Sequence, residues 1–239
     1  MIYPRIIAHR CGGALAPENT LAGLRIAARI GCRGVEFDAM LGADGVPVLI
    51  HDETLERTTS GLGGVAAADS GQLLRLDAGC RHHRAFGGEP LPSLDQALRL
   101  CAALGLWANV EIKPATGHEA ETGRAVARAS AAIGGKLVLS SFSEVALQAA
   151  AVEAPLLPRA MLVEAVPTDW PGLLERSGSR ALHCAANSLA EDVAHAVCKA
   201  GYPLACYTVN GRDEGARLFA LGVSAVFSDR PDLWQAEEM

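Results

Sequence analysis

The sequence predicts an α/β protein built as a closed (β/α)8 barrel, and three observations carry that expectation. Short β-branched runs alternate with helical patterns from end to end, the mark of βα units around a parallel sheet. Roughly eight strands recur at about 30 residues per unit, the count for a closed barrel. The 239 residues are 50% hydrophobic and 20% charged, which supplies a large core and excludes disordered and fibrous classes. An open doubly wound sheet, which usually has fewer strands, is the weaker alternative. Residues 1–239 are accordingly read as one domain.

The elements follow in order. Strands are expected where apolar and β-branched residues cluster, at 6–8, 35–39, 107–112, 137–140, 160–163, 181–184, 204–209 and 223–227. Between them helical periodicity predicts helices at 20–30, 94–104, 119–133, 144–152, 170–176, 190–200 and 213–221. Gly31, Gly105, Gly201 and Gly222 stand just past four of these runs, where a left-handed residue ends a helix. Two pieces break the repeat, both after the second strand. Val46-Pro47-Val48-Leu49-Ile50 comes too soon after that strand for a crossover helix, so it must return antiparallel. Asp44-Gly45 predicts a two-residue hairpin loop, so that facing positions sum to 89 (43 + 46) and His51 faces Asp38. Residues 53–90 are rich in Gly and Ala with weak periodicity, and are read as a small insertion over the barrel mouth. Phe86 and Leu91 are expected to cover one side of the mouth from there.

Charge and cysteine usage narrow the function. A net charge of -6 without any run of Lys or Arg argues against nucleic acid as a partner. Seven cysteines without a CxxC pair signal neither a disulfide framework nor a zinc site and fit a reducing compartment. No apolar run approaches the roughly 18 residues of a membrane span. The first residues run directly into a strand with no charged and apolar leader before it, so a cytoplasmic location is expected. A homodimer is left open.

In such barrels chemistry sits at the C-terminal strand ends. There the chain places His9 and Arg10, Glu36 and Asp38, and Asn109, Glu111 and Lys113, with period two aligning each set on one strand face. Three carboxylates on facing strands repel and are costly to bury, so a cation must lie between them. With oxygen ligands and no thiolate pairing, Mg²⁺ or Ca²⁺ is expected on Glu36, Asp38 and Glu111. The competing reading makes plain ion pairs of Glu36 with Arg10 and Glu111 with Lys113, leaving Asp38 and both histidines without a task. His9 and His51 map to one rim beside carboxylates and form a candidate acid and base pair, although either alone would pass for a core histidine. His82, His83, His118, His183 and His195 are read as structural or solvated. Gly12, Gly13, Gly61, Gly63 and Gly64 are weak candidates for a phosphate cradle, strengthened by Arg10 and Lys113 as cations for an anionic substrate.

These residues also spell a family pattern. Ala8-His9-Arg10, Pro17-Glu18-Asn19-Thr20, Glu36-Phe37-Asp38, Asp44-Gly45-Val46-Pro47-Val48, His51-Asp52, Leu55-Glu56-Arg57-Thr58-Thr59-Ser60-Gly61, Pro92-Ser93-Leu94, Glu111-Ile112-Lys113, Ser140-Ser141-Phe142, Tyr207-Thr208-Val209-Asn210 and Ser228-Asp229 resemble the glycerophosphodiester phosphodiesterases, most of all the short cytosolic bacterial type. The resemblance runs in order over nearly the whole chain. It implies a TIM barrel, a divalent metal on Glu36, Asp38 and Glu111, and a histidine pair at His9 and His51. It further implies hydrolysis of a small glycerophosphodiester to glycerol 3-phosphate and an alcohol, a step of lipid and glycerol metabolism. Arg10, Lys113, Phe142 and Tyr207 would bind the substrate and its phosphate, with His9 as base and His51 as acid. The nucleophile is open between the substrate's 2-hydroxyl, which gives a cyclic phosphate, and water; the alcohol is open too. Two positions depart from the pattern: Cys11 stands where the family usually has Gly, and Tyr207 where it commonly has Trp. The rival readings are a Schiff-base aldolase using Lys113 and a phosphodiester-binding barrel without catalysis.

Overall fold

The structure is a computed structural model and describes residues 2–234. Eight parallel strands close into a barrel: β1 (Ile6–Ala8), β2 (Gly34–Leu41), β4 (Trp107–Ile112), β5 (Leu137–Ser141), β6 (Arg159–Val163), β7 (Leu182–Ala185), β8 (Leu204–Tyr207) and β9 (Ala225–Ser228). The ring shuts where β1 pairs with β2 on one side, Ile7 opposite Gly34, and with β9 on the other, Ile7 opposite Phe227. Seven longer helices pack outside: α1 (Leu21–Arg29), α3 (Leu94–Leu104), α4 (Glu119–Ile133), α5 (Glu144–Glu153), α6 (Trp170–Ser177), α7 (Glu191–Lys199) and α8 (Arg212–Ala220). The expected (β/α)8 barrel is present.

Helix starts follow from local chemistry. The Thr20 hydroxyl accepts from the Gly23 N–H and caps α1, and Ser93 and Gln96 form a reciprocal capping box at α3, which Gly105 closes at φ 70°. Strand alternation then sorts the side chains. Val35, Phe37 and Ala39 face outward and share a core with Leu24 and Ala27 of α1 and with Leu94 and Leu98 of α3. The inward positions split by height. The lower barrel is filled by Tyr3, Ile7, Trp107, Val138 and Phe227, with alanines 160, 181, 205 and 225 leaving room for the rings. His183, fully buried, completes this plug: its Nε2 lies 2.9 Å from the Tyr3 hydroxyl and its ring 5.2 Å from that of Phe227. Burial pushes its imidazole down to about 3, so it stays neutral. Above the plug the inward positions are Glu36, Asp38, Asn109 and Glu111.

The hairpin after β2 differs from expectation by one residue. β3 (Pro47–Leu49) pairs with β2 as Ala39 to Leu49, Met40 to Val48 and Leu41 to Pro47, so facing positions sum to 88. The loop holds three residues, with the Gly42 N–H donating to the Val46 carbonyl and Gly45 at φ 75°. Asp-Gly serves both loop lengths, and here Gly45 takes the left-handed last position of the longer one. Ile50, not His51, therefore stands opposite Asp38, to whose carbonyl its N–H donates.

Residues 53–90 are more ordered than their composition suggests. They contain a short helix, α2 (Ser70–Leu73), started by an Asp69–Gln72 capping box. Leu55, Val65, Leu73, Ala78 and Leu91 form a separate apolar cluster with Met40, Val48 and Ile50 of the hairpin. The Glu89 carboxylate accepts from the Ala22 N–H at 2.8 Å, tying this excursion to the start of α1.

Candidate active site

A pocket of about 320 Å³ opens at the C-terminal ends of the strands, and its walls include His9, Arg10, Glu36, Asp38, His51, Asn109, Glu111, Lys113, Phe142 and Tyr207. The nine residues expected to serve catalysis, metal or substrate thus meet in one place, from six strands or the loops that follow them. His51 arrives despite the shifted register, because the chain leaves the ladder after Leu49 and turns into the mouth.

At the floor, one carboxylate oxygen each of Glu36, Asp38 and Glu111 lie within 4.8 Å of one another. All three residues are buried. Burial, reinforced by the Asp38 charge, holds Glu36 well above the usual carboxylate range and pushes Glu111 up to about 8. Some charge is offset: the Arg10 N–H donates to Glu36 Oε2 at 2.8 Å, Asn19 Nδ2 donates to Asp38 Oδ2 at 2.8 Å, and Lys113 Nζ lies 3.6 Å from Glu111. Yet Glu36 Oε1 is buried without a hydrogen-bond partner among the described residues. Three converging carboxylates with an orphaned oxygen and no sulfur donor fit a hard divalent cation. The plain ion-pair reading fails at Glu36, since the Arg10 guanidinium pairs instead with Glu18, 3.1 Å away, and Asp38, 3.9 Å away.

The turn beneath Arg10 explains its position. Arg10 and Cys11 are both left-handed, at φ 48° and 76°, which aims the Arg10 N–H into the acid cluster. Cys11 stands where glycine would be unstrained; its side chain is fully buried, and Gly23 leaves the space, since a Cβ there would come within 2.9 Å of Cys11 Cβ. The glycine candidates for a phosphate cradle are not confirmed. The Gly12 and Gly13 N–H groups donate to the Arg10 and His9 carbonyls, and a Cβ on Gly13 would sit 2.4 Å from the Asp229 carbonyl oxygen, so close packing accounts for it. Gly61 and Gly63 donate to Thr59 and Glu56 within their own loop. Phe86 and Leu91 do not cover the pocket either: Phe86 packs edge to face with His82, and Leu91 lies in the hairpin cluster.

Each histidine is held by a carboxylate. His9 Nδ1 lies 2.7 Å from Asp229 Oδ1, which leaves Nε2 on the pocket side, 3.8 Å from Glu36. Asp229 is fixed by Asn210, whose side-chain oxygen accepts from the Asp229 N–H at 2.8 Å. His51 Nδ1 lies 2.7 Å from Asp52 Oδ1, while Lys113 Nζ donates to Nε2 at 2.7 Å. Burial pushes the His51 imidazole below its usual range, and Arg10 and Lys113 add to this. Asp52 is in turn gripped by Arg57, which holds its carboxyl well below the usual range. Arg57 also forks onto Glu18 with two 2.8 Å bonds, and Glu18 binds Arg10. A chain of charge-assisted bonds therefore runs from Arg10 through Glu18, Arg57 and Asp52 to His51. Sequence reasoning assigned no task to Glu18, Asn19, Asp52, Arg57 or Asp229, although all five lie inside its motifs. On the far side Phe142 and Tyr207 form an aromatic wall, ring centroids 5.9 Å apart and edge to face, with the Tyr207 hydroxyl donating to the Val163 carbonyl.

A closed parallel barrel with cations and carboxylates gathered over its strand ends belongs to the class of barrel enzymes that act on small anions. A model of the glycerophosphoryl diester phosphodiesterase family matches residues 9–233. A glycerophosphodiester phosphodiesterase of Caldanaerobacter subterraneus subsp. tengcongensis is 29% identical over 231 residues, covering 95% of this chain and 94% of that one. Among solved structures, an Oleispira antarctica phosphodiesterase in complex with the product sn-glycerol-3-phosphate superposes with a TM-score of 0.94 at 34% identity, over 99% of this chain and 97% of that one. A glycerophosphodiester phosphodiesterase from Agrobacterium tumefaciens gives 0.79 at 29% identity, over 97% and 98%. The chain belongs to the glycerophosphoryl diester phosphodiesterase family and is a phosphoric diester hydrolase of that kind. Among the described residues no helix is long and apolar enough to cross a membrane.

Proposed function

We propose that the chain, acting as one domain over 1–239 with 53–90 as an insertion, hydrolyses small glycerophosphodiesters to glycerol 3-phosphate and an alcohol in this pocket. The observation that carries the reading is the meeting of two carboxylate-held histidines over three converging buried acids in a single pocket. Glu36, Asp38 and Glu111 would hold Mg²⁺ or Ca²⁺. Such an ion supplies positive charge to the phosphoryl oxygens and neutralises charge growing in the transition state. Arg10 and Lys113 bind the phosphate from the same side and add to that field. The glycerol packs against Phe142 and Tyr207.

His9 takes the nucleophile's proton at Nε2, with Asp229 stabilising the imidazolium through Nδ1. His51 protonates the departing alkoxide. Its Nε2 accepts from Lys113 in the substrate-free arrangement, so it must first take up a proton there. An arriving phosphate assists by drawing Lys113 away from the ring. A metal-depleted preparation should be inactive towards glycerophosphodiesters and recover with Mg²⁺ or Ca²⁺, read as release of glycerol 3-phosphate. His9→Ala and His51→Ala should each lower kcat by roughly 10²-fold or more, and the double variant should lose little beyond the worse single. Full activity without metal, or additive losses, would overturn this mechanism. The aldolase reading predicts survival in EDTA and inactivation by borohydride, and the binding-barrel reading predicts no glycerol 3-phosphate.

A further inference from the structure

The two histidines share one arrangement and differ in what stands behind it. His51 leans on Asp52, which the cationic Arg57 grips, whereas His9 leans on Asp229, whose holder is the neutral side chain of Asn210. Asn210 meets Asp229 at two points: its Oδ1 accepts from the Asp229 N–H at 2.8 Å, and its Nδ2 donates to Asp229 Oδ2 at 3.2 Å. The amide can face only this way, because a backbone N–H donates and a carboxylate accepts. Asp229 Oδ1 is thereby left for His9 Nδ1, 2.7 Å away. Asn210 is itself placed by the barrel. Just beyond β8 the Val209 N–H donates to the Phe227 carbonyl at 2.8 Å, and the hydroxyl of the buried Ser228 donates to Asn210 Oδ1 at 3.3 Å.

We propose that Asn210 is a positioning residue for the base: it turns the Asp229 carboxylate so that one oxygen meets His9 Nδ1 and the ring keeps Nε2 toward the pocket; this rests on the hydrolytic reading above. The Asp229 side chain is 40% exposed, so without a second anchor its carboxylate would rotate between His9 and water. A ring that loses its Nδ1 partner also loses the tautomer that leaves Nε2 free to take a proton. A neutral holder orients Asp229 without offsetting its charge, which stays available to the imidazolium that His9 becomes. Asn210 is exposed and does not line the pocket, so its effect on the reaction passes through Asp229.

The test measures kcat and KM of the metal-loaded full chain, on the glycerophosphodiester it hydrolyses fastest, in the parent, Asn210→Ala, Asn210→Asp, His9→Ala and the His9→Ala/Asn210→Ala double variant. Thermal melting checks each fold, and the Asn210 variants should melt near the parent because the side chain is exposed. Asn210→Ala should lower kcat by about 10–100-fold with KM unchanged, and should cost nothing further once His9 is gone. Asn210→Asp keeps the acceptor for the Asp229 N–H but sets a like charge beside Oδ2, so it should stay as slow as Asn210→Ala. Recovery by Asn210→Asp, or early melting of both variants, would reduce the residue to a structural support and overturn the proposal. A rise in KM alone, or an undiminished loss in the His9→Ala background, would do the same. NMR gives a readout independent of turnover: a low-field imidazole N–H signal, assigned by its loss in His9→Ala, should be present in the parent and lost in Asn210→Ala. Its absence from the parent or its persistence in Asn210→Ala would overturn the proposal. If no diester is hydrolysed with any metal, the hydrolytic reading fails, and this signal alone then decides whether Asn210 orients His9 through Asp229.

Discussion

At the scale of single residues, the acid cluster makes stability depend on pH in a defined direction. Glu36 and Glu111 bind protons more tightly in the folded chain than in the unfolded one, where a glutamate titrates near 4.5. The stability they contribute is therefore full below that value and fades as the pH climbs through about 8. A divalent cation takes the place of those protons, so the rise in Tm on adding Mg²⁺ or Ca²⁺ should grow between pH 5 and 8. Each kcal/mol would appear as about 2–4 °C in a chain of this size. Glu36→Gln should raise the Tm of the metal-free protein and abolish most of the cation-induced shift; a shift independent of pH would count against a metal on these three carboxylates. Arg57 is the second residue with a sharp expectation. It connects the phosphate-side Arg10, through Glu18, with the Asp52 that orients His51. Arg57→Ala should lower kcat by about 10–100-fold, as loss of an orienting partner generally does, with a smaller effect on Tm, since its partners stay solvated. Arg57→Lys, which keeps the charge without the planar fork, should recover only part of the rate.

Secondary-structure elements carry the clearest difference between pattern and structure. The inward set Glu36, Asp38, Asn109 and Glu111 was legible because strand alternation leaves two choices of face, and the outward set Val35, Phe37 and Ala39 is wholly apolar. The hairpin register was not, because Asp-Gly fits loops of two and of three residues, and local sequence does not choose between them. The order within the excursion at 53–90 was not legible because its apolar residues are spaced for tertiary contact with β2 and β3 and follow neither helical nor strand period. Leu73, fully buried there, is a strut of that contact. Leu73→Ala should cost about 2–5 kcal/mol, far more than any change at exposed Leu62. Replacing 62–88 with a short linker would strip the cover from Met40, Val48 and Ile50. That variant should melt early, and if folded should keep hydrolysing a small aryl phosphodiester, since no residue of 62–88 lines the pocket.

At the scale of the whole molecule, the barrel brings together groups that are remote in the chain, and this separation set the limit of sequence reasoning about the site. Asp229 could be recognised as part of a motif but not as the partner of His9, because the two are 220 positions apart. Their meeting depends on β1 lying between β2 and β9. Closure of the ring thus does more than remove sheet edges. A growing chain that has not yet delivered β9 carries His9 without its carboxylate and β1 with one bare edge, so a truncated or half-made molecule should be silent towards its substrate. Activity should appear only with the last strand, which would make diester hydrolysis a report on completed assembly. Two separately expressed fragments, divided between α6 and β7, should each be inactive and should regain turnover on mixing at the rate at which β9 docks beside β1.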